Sequence, residues 1–260
     1  MKKNKFIVLL IIGLVIILVQ PKILNFVVSA TTSQSILSQL GIESNTTTSK
    51  SISNKDKINE LKNLKFDGEQ VIKINNDEPN FSKSELALEK GTWEKYSSLD
   101  LLNRVGVANA MLGVDLMPTE ERESISDVKP TGWKNKKIKF NGKDDYLYNR
   151  SHLIGFQLTG QNANPKNLFT GTRALNANFD NEKDSMVYYE NLISKYIKET
   201  GNHVRYQVTP VFKGVELVAR GIWMQAQSIE DNSVSFSVYI FNVQPNYKIN
   251  YLDGSSKVSK

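Results

Sequence analysis

Tyr148-Asn149-Arg150-Ser151-His152-Leu153-Ile154-Gly155-Phe156 is the stretch that decides how the rest of the chain is read. Aromatic and β-branched residues alternate in it well enough to predict a strand. Strand side chains alternate between faces, so Tyr148, Arg150, His152, Ile154 and Phe156 are expected on one of them. A guanidinium and an imidazole on a mostly apolar face are costly to bury unless they are hydrogen-bonded or have a chemical task. His152 is one of two histidines in 260 residues. Taken alone it reads more readily as a satisfied structural histidine, so the flanking sequence has to decide.

Downstream, Asn164-Pro165-Lys166-Asn167-Leu168-Phe169 predicts a turn entering a short strand. Thr170-Gly171-Thr172 then punctuates the chain, and residues 173–178 read as a helix start with Thr172 as N-cap. Asn176 falls about one turn into that helix, where asparagine is a mediocre choice; a solvent-facing residue is the plain alternative. Residues 185–197 carry an apolar stripe at helical spacing, made of Met186, Tyr189, Ile193, Tyr196 and Ile197. Glu190 borders this stripe, whereas Asn191, Lys195 and Lys198 lie opposite. A carboxylate so placed is expected to be paired, protonated or bound to an ion; a half-exposed edge residue in a salt bridge is the alternative. The second histidine, His203, follows the turn signal Gly201-Asn202 and is expected at the surface. Trp93, Trp133 and Trp223 are expected in the core.

These blocks, in this order, resemble the DNA/RNA non-specific endonucleases of the ββα-metal superfamily, and among them the DNA-entry nucleases and secreted DNases of streptococci and lactobacilli. The Asp-Arg-Gly-His signature of that family falls on residues 149–152, with Asn149 for the usual Asp and Ser151 for the usual Gly. Met117-Pro118-Thr119-Glu120-Glu121-Arg122, Lys129-Pro130-Thr131-Gly132-Trp133 and Tyr189-Glu190-Asn191 also match, and the likeness spans about residues 99–251. It implies an α+β fold: a central antiparallel sheet flanked by helices, with a ββα-metal module of strand with His, strand, and helix with Asn. It also implies His152 as general base and Asn176 as the direct ligand of a Mg²⁺, for which Mn²⁺ could substitute. Glu190 would steady that ion's waters, Arg150 would meet the reacting phosphate, and Asn149, Asn167 and Arg173 would contact substrate. Residues 179–184 look like an insertion, so Asp180, Glu182 and Asp184 are rivals to Glu190. The expected partner is DNA or RNA, and the products 5′-phosphorylated fragments. A catalytically idle DNA-binding module for uptake, or an exported scaffold or carbohydrate-binding protein, remains open on the same residues.

Composition narrows the chemistry. The chain has no cysteine, which excludes disulfides, thiolate metal sites and a cysteine nucleophile. Two histidines argue against a zinc site built from imidazoles. A metal would be held mainly by oxygen, which favours hard ions. The net charge of +6 comes largely from four lysines in residues 1–30, which hold no acid; the remaining 29 bases face 27 acids. Nucleic-acid contact therefore needs a local cluster, for which Arg150, Lys166 and Arg173 are candidates, though ordinary surface charge would look the same. Lys2, Lys3 and Lys5 before the apolar run 6–19 read as a secretory signal or an N-terminal membrane anchor over residues 1–30, so the body is expected outside the cell. Residues 31–63 read as a polar linker with a short helix near 55–62, and residues 64–260 as the nuclease domain. Within it, strands are predicted at 71–74, 204–211, 215–223 and 234–243, a helix at 99–112, and a hairpin at Gly214.

Overall fold

The structure is a computed structural model and describes residues 54–178 and 181–259. The predicted signal or anchor, the first part of the linker and Asp180 lie outside the described residues. In chain order the elements are α1 (Asn54–Leu61), β1 (Val71–Lys73), β2 (Trp93–Tyr96), β3 (Ala108–Leu112), β4 (Lys137–Phe140), β5 (Lys143–Tyr146) and β6 (Tyr148–His152). There follow α2 (Phe156–Thr159), β7 (Leu168–Thr172), α3 (Arg173–Asn176), α4 (Met186–Thr200), β8 (Val204–Val211), β9 (Gly221–Ser228), β10 (Ser235–Phe241), β11 (Tyr247–Ile249) and β12 (Ser256–Val258).

Six strands form an antiparallel sheet in the order β1-β10-β9-β8-β3-β2. Alternation sorts its side chains onto two faces. Ala108, Ala110 and Leu112 of β3, Val204, Tyr206 and Val208 of β8, and Ile222 and Met224 of β9 point to one face. There they meet Met186, Ile193 and Ile197 of α4 and Leu153 and Leu158 from the segment after β6. Trp223, Tyr239 and Phe241 point to the other face, where α1 lays down its buried Leu61. Residues 54–61, expected inside the linker, are thus packed on the sheet.

The two strands β6 and β7 form a separate antiparallel ribbon, with Asn149 opposite Gly171 and His152 opposite Leu168. Asn242, just past β10, fastens this ribbon to the sheet. Its buried Oδ1 accepts from Thr172 N at 2.8 Å, and its Nδ2 donates to Thr170 O at 3.0 Å and Ala219 O at 2.9 Å. Gln244 Oε1 accepts from Ala174 N at 3.0 Å, continuing the seam into α3. An amide committed on both ends fixes position more tightly than an apolar contact of the same size.

Four expectations are corrected. Residues 99–112 contain no helix: Asn103 adopts a positive φ of 59°, and the segment ends in β3, paired on both sides. Leu102, Val105, Ala108 and Leu112 fit a helical spacing, Ala108, Ala110 and Leu112 a period of two, and the sheet selects the latter. The strand expected at 215–223 begins at Gly221, because residues 212–220 form the connection from β8 to β9. The strand carrying His152 stops there instead of running to Phe156, which opens α2. Trp223 is buried, but Trp133 is only half-buried and lines a cleft.

Candidate active site

The β6–β7 ribbon, α3 and α4 enclose a cleft of about 600 Å³ whose walls include Asn149, Arg150, His152, Arg173, Asn176 and Glu190. Six of the seven residues expected at the site therefore converge. The seventh, Asn167, does not: it is fully buried behind the cleft, where Oδ1 accepts from Ile154 N at 2.9 Å and Nδ2 donates to Ile154 O at 3.0 Å. Its amide stands in for a ladder pair where β6 has ended, so no group is left for a phosphate.

His152 is mostly buried, and its Nε2 lies 3.0 Å from Asn162 O. A carbonyl can only accept, so Nε2 carries the proton and Nδ1 keeps a lone pair in the neutral ring. Burial holds the imidazole below its ordinary pKa; the guanidinium of Arg122 pushes the same way, against the backbone carbonyls of Asn162 and Gln161. The ring is thus held neutral, oriented and able to accept a proton.

Glu190 is more deeply placed than its position on the stripe's border suggested. Its carboxyl is buried, with Gly155 N donating to Oε1 at 2.8 Å and Gln157 Nε2 to Oε2 at 3.1 Å. Burial raises its pKa to about 8, opposed by those two donors and by Arg122. Gly155 permits the approach: a Cβ there would lie 2.5 Å from Glu190 Oε2. Among the rival acids, Glu182 is exposed and Asp184 borders a different depression beside β1.

The arginines divide unexpectedly. Arg150 was expected at the phosphate, yet its Nε donates to Val128 O at 2.5 Å and its Nη2 to Ser126 O at 2.7 Å. Its guanidinium also stacks 4.4 Å from the centre of the Trp133 ring. Arg173 is paired through Nε with Asp145 at 2.8 Å. Arg122, which the sequence reading quoted without giving it a task, lines the cleft and makes no hydrogen bond or ion pair among the described residues. It acts on both His152 and Glu190. Lying in an irregular segment, it has no periodicity to mark it, and only its place in the matching block 117–122 singled it out.

Asn149 Oδ1 is buried in the cleft with no hydrogen-bond partner. An orphaned buried carbonyl oxygen on a residue that lines a polar cleft is a candidate ligand for a cation or a bound water. Ser151 lies in extended backbone, so its Cβ meets no conformational penalty. Gly171 makes room for it, since a Cβ on that glycine would fall against Ser151 Oγ. His203 sits at the surface with Nδ1 2.7 Å from Glu230 Oε1, away from the cleft.

A two-stranded ribbon carrying a histidine, followed by a helix carrying an asparagine and packed on an antiparallel sheet, defines an α+β fold of the ββα-metal nuclease class. The model of the DNA/RNA non-specific endonuclease family matches residues 86–230, more than half of the chain, and the chain belongs to that family. A curated deoxyribonuclease of Streptococcus dysgalactiae subsp. equisimilis is 32% identical over 112 residues, 43% of this chain. The match spans 33% of that relative's length. NucA from Streptococcus agalactiae, solved with magnesium bound, superposes with a TM-score of 0.66 at 26% identity, covering 80% of this chain and 98% of NucA. The Sda1 nuclease, solved with bound zinc, gives a TM-score of 0.58 at 29% identity over 64% of this chain and 81% of its own.

Proposed function

We propose that this protein is an exported, metal-dependent endonuclease that hydrolyses the phosphodiester bonds of DNA, with RNA as a second substrate, to 5′-phosphorylated fragments. The observation that carries the reading is His152: Nε2 is committed to a carbonyl, and the neutral Nδ1 remains to take a proton from water. A base held near or below neutrality suits that transfer at physiological pH. Arg122, with Nη1 of Arg150, neutralises the phosphate. Contact with the backbone and not the bases would leave sequence selectivity low.

The residues present fit a hard divalent ion. No group of three His, Cys, Asp or Glu side chains suited to a metal occurs among the described residues, so a site made of charged ligands alone is not on offer. The cleft is instead lined by Asn176 and Asn149, whose amide oxygens are neutral donors, and by Glu190. Asn176 would hold Mg²⁺ or Mn²⁺ directly and Glu190 would order its waters, with the rest of the shell left to solvent. When bound, such an ion neutralises charge developing on the phosphate and on the departing 3′ oxygen. The basic and then apolar residues 2–19 support export, by a cleaved signal or by an anchor that keeps the enzyme on the outer face of the membrane.

A DNA-containing gel soaked in Mg²⁺ tests the reading directly. Clearing that EDTA abolishes and Mg²⁺ or Mn²⁺ restores is the expected result. A protein that retards DNA but clears none under any divalent ion is a binding module, and the nuclease reading fails. Separating cells into membrane and medium locates the active fraction.

A further inference from the structure

The carbonyl that orients His152 belongs to the loop between α2 and β7, and Gln161 of this loop is hydrogen-bonded to Glu94 of the central sheet. We infer that Glu94, on β2, is a positioning residue for His152: through Gln161 it holds the loop that presents Asn162 O to the imidazole. The inference rests on the proposed role of His152 as base.

The connection is continuous. Glu94 Oε1 accepts from Gln161 Nε2 at 2.5 Å, and Glu94 Oε2 accepts from Tyr96 Oη at 2.9 Å. Glu94 and Tyr96 are two residues apart on β2 and so share a face, the one on which Tyr96 packs against the core. Both carboxylate oxygens are thereby engaged, one by the sheet and one by the loop. Gln161 Oε1 in turn accepts from Asn164 Nδ2 at 3.2 Å, and Asn162 Oδ1 accepts from Glu123 N at 3.0 Å. Asn162 O then receives His152 Nε2–H at 3.0 Å.

The loop needs such a tie. It leaves α2 through Gly160 at a positive φ of 65°, contains no helix or strand, and carries exposed Ala163, Pro165 and Lys166. A loop with few buried apolar contacts opens at low cost. Released, its carbonyl would no longer select between the two neutral tautomers, and a proton on Nδ1 removes the lone pair the reaction uses. Glu94 touches neither cleft nor substrate, so its effect should appear in turnover and not in substrate affinity.

The chain has two histidines, which makes the test direct. Protein labelled with ¹⁵N-histidine gives two sets of ring resonances, whose two-bond correlations report which nitrogen is protonated at about pH 8, where the neutral ring dominates. His152→Ala assigns them. The wild type is expected to show His152 as the Nε2–H tautomer. Glu94→Ala and Gln161→Ala are expected to give a tautomer mixture and a kcat reduced on the order of 10–100-fold, with KM unchanged. Glu94→Gln, which keeps an oxygen acceptor for Gln161, should restore both. Should Glu94→Ala fail to fold by circular dichroism, Gln161→Ala, on the surface loop, carries the test. A His152 tautomer and a kcat unchanged in the folded variants would overturn the inference. A tautomer shift in a protein whose wild type has no turnover would support the positioning and sink only the nuclease reading.

Discussion

At the residue scale, His152 and Arg122 make the sharpest demands. His152→Ala should lower cleavage on the order of 10²–10⁴-fold, the usual cost of losing a general base, while leaving the fold intact. His203→Ala, at the far Glu230 pair, should be silent. Because burial holds the His152 pKa below its ordinary value, the neutral ring persists to lower pH than for a free histidine. The rate should fall only as pH drops through that depressed value. An acid limb with its midpoint above about 6.5, with metal saturating, would count against the assignment. Arg122→Ala should cut kcat more than Arg150→Lys does, since Arg122 has a guanidinium to spare and Arg150 has tied its own to two carbonyls. Steady-state rates of the two variants side by side decide this. His152, Asn176 and Glu190, which the structure brings to one cleft, were picked out by the family resemblance; pattern alone read His152 more readily as structural and Asn176 as solvent-facing. Asn167 was misread because residue type says nothing about whether a side chain's hydrogen-bonding groups are already spent on nearby backbone.

At the scale of elements, the ββα order was readable from short-range signals: alternation in β6, a turn before β7, and Thr172, whose side chain does accept from Leu175 N at 3.1 Å. What pattern could not supply was the close approach of α4 to the segment after β6. Gly155 makes that contact, although its φ of −60° is open to any residue. Gly155→Ala should therefore fold, yet displace the Glu190 carboxyl and raise the Mg²⁺ concentration needed for half-maximal rate. A metal titration identical to wild type would show that Glu190 has no part in holding the ion. The helix expected at 99–112 failed for the converse reason. Local spacing there satisfied two periods, and only partners distant in sequence chose between them.

At the scale of the whole molecule, Glu190 couples the site to stability. Its folded pKa, raised to about 8, lies above the ordinary carboxyl value of 4.5. The folded state therefore binds its proton more tightly than the unfolded chain does. That stabilisation is complete below about pH 4.5 and is lost as pH rises through 8. In EDTA, wild-type protein should lose on the order of a few kcal/mol over this window relative to Glu190→Gln, which cannot ionise. Parallel thermal melts of the two across the window would remove the burial argument. Added Mg²⁺ should narrow the gap by binding the ionised form.

The seam at Asn242 has a consequence in time. β1, near residue 71, finds its partner at β10, near residue 240, and the ribbon bearing His152 is fastened by a side chain that follows β10. Pairings this distant close late and slowly. While the chain is being made, every residue of the cleft has emerged well before the strand and amide that hold the cleft together. The cleft is thus built last, and a chain still unfinished carries its residues without the scaffold that brings them together.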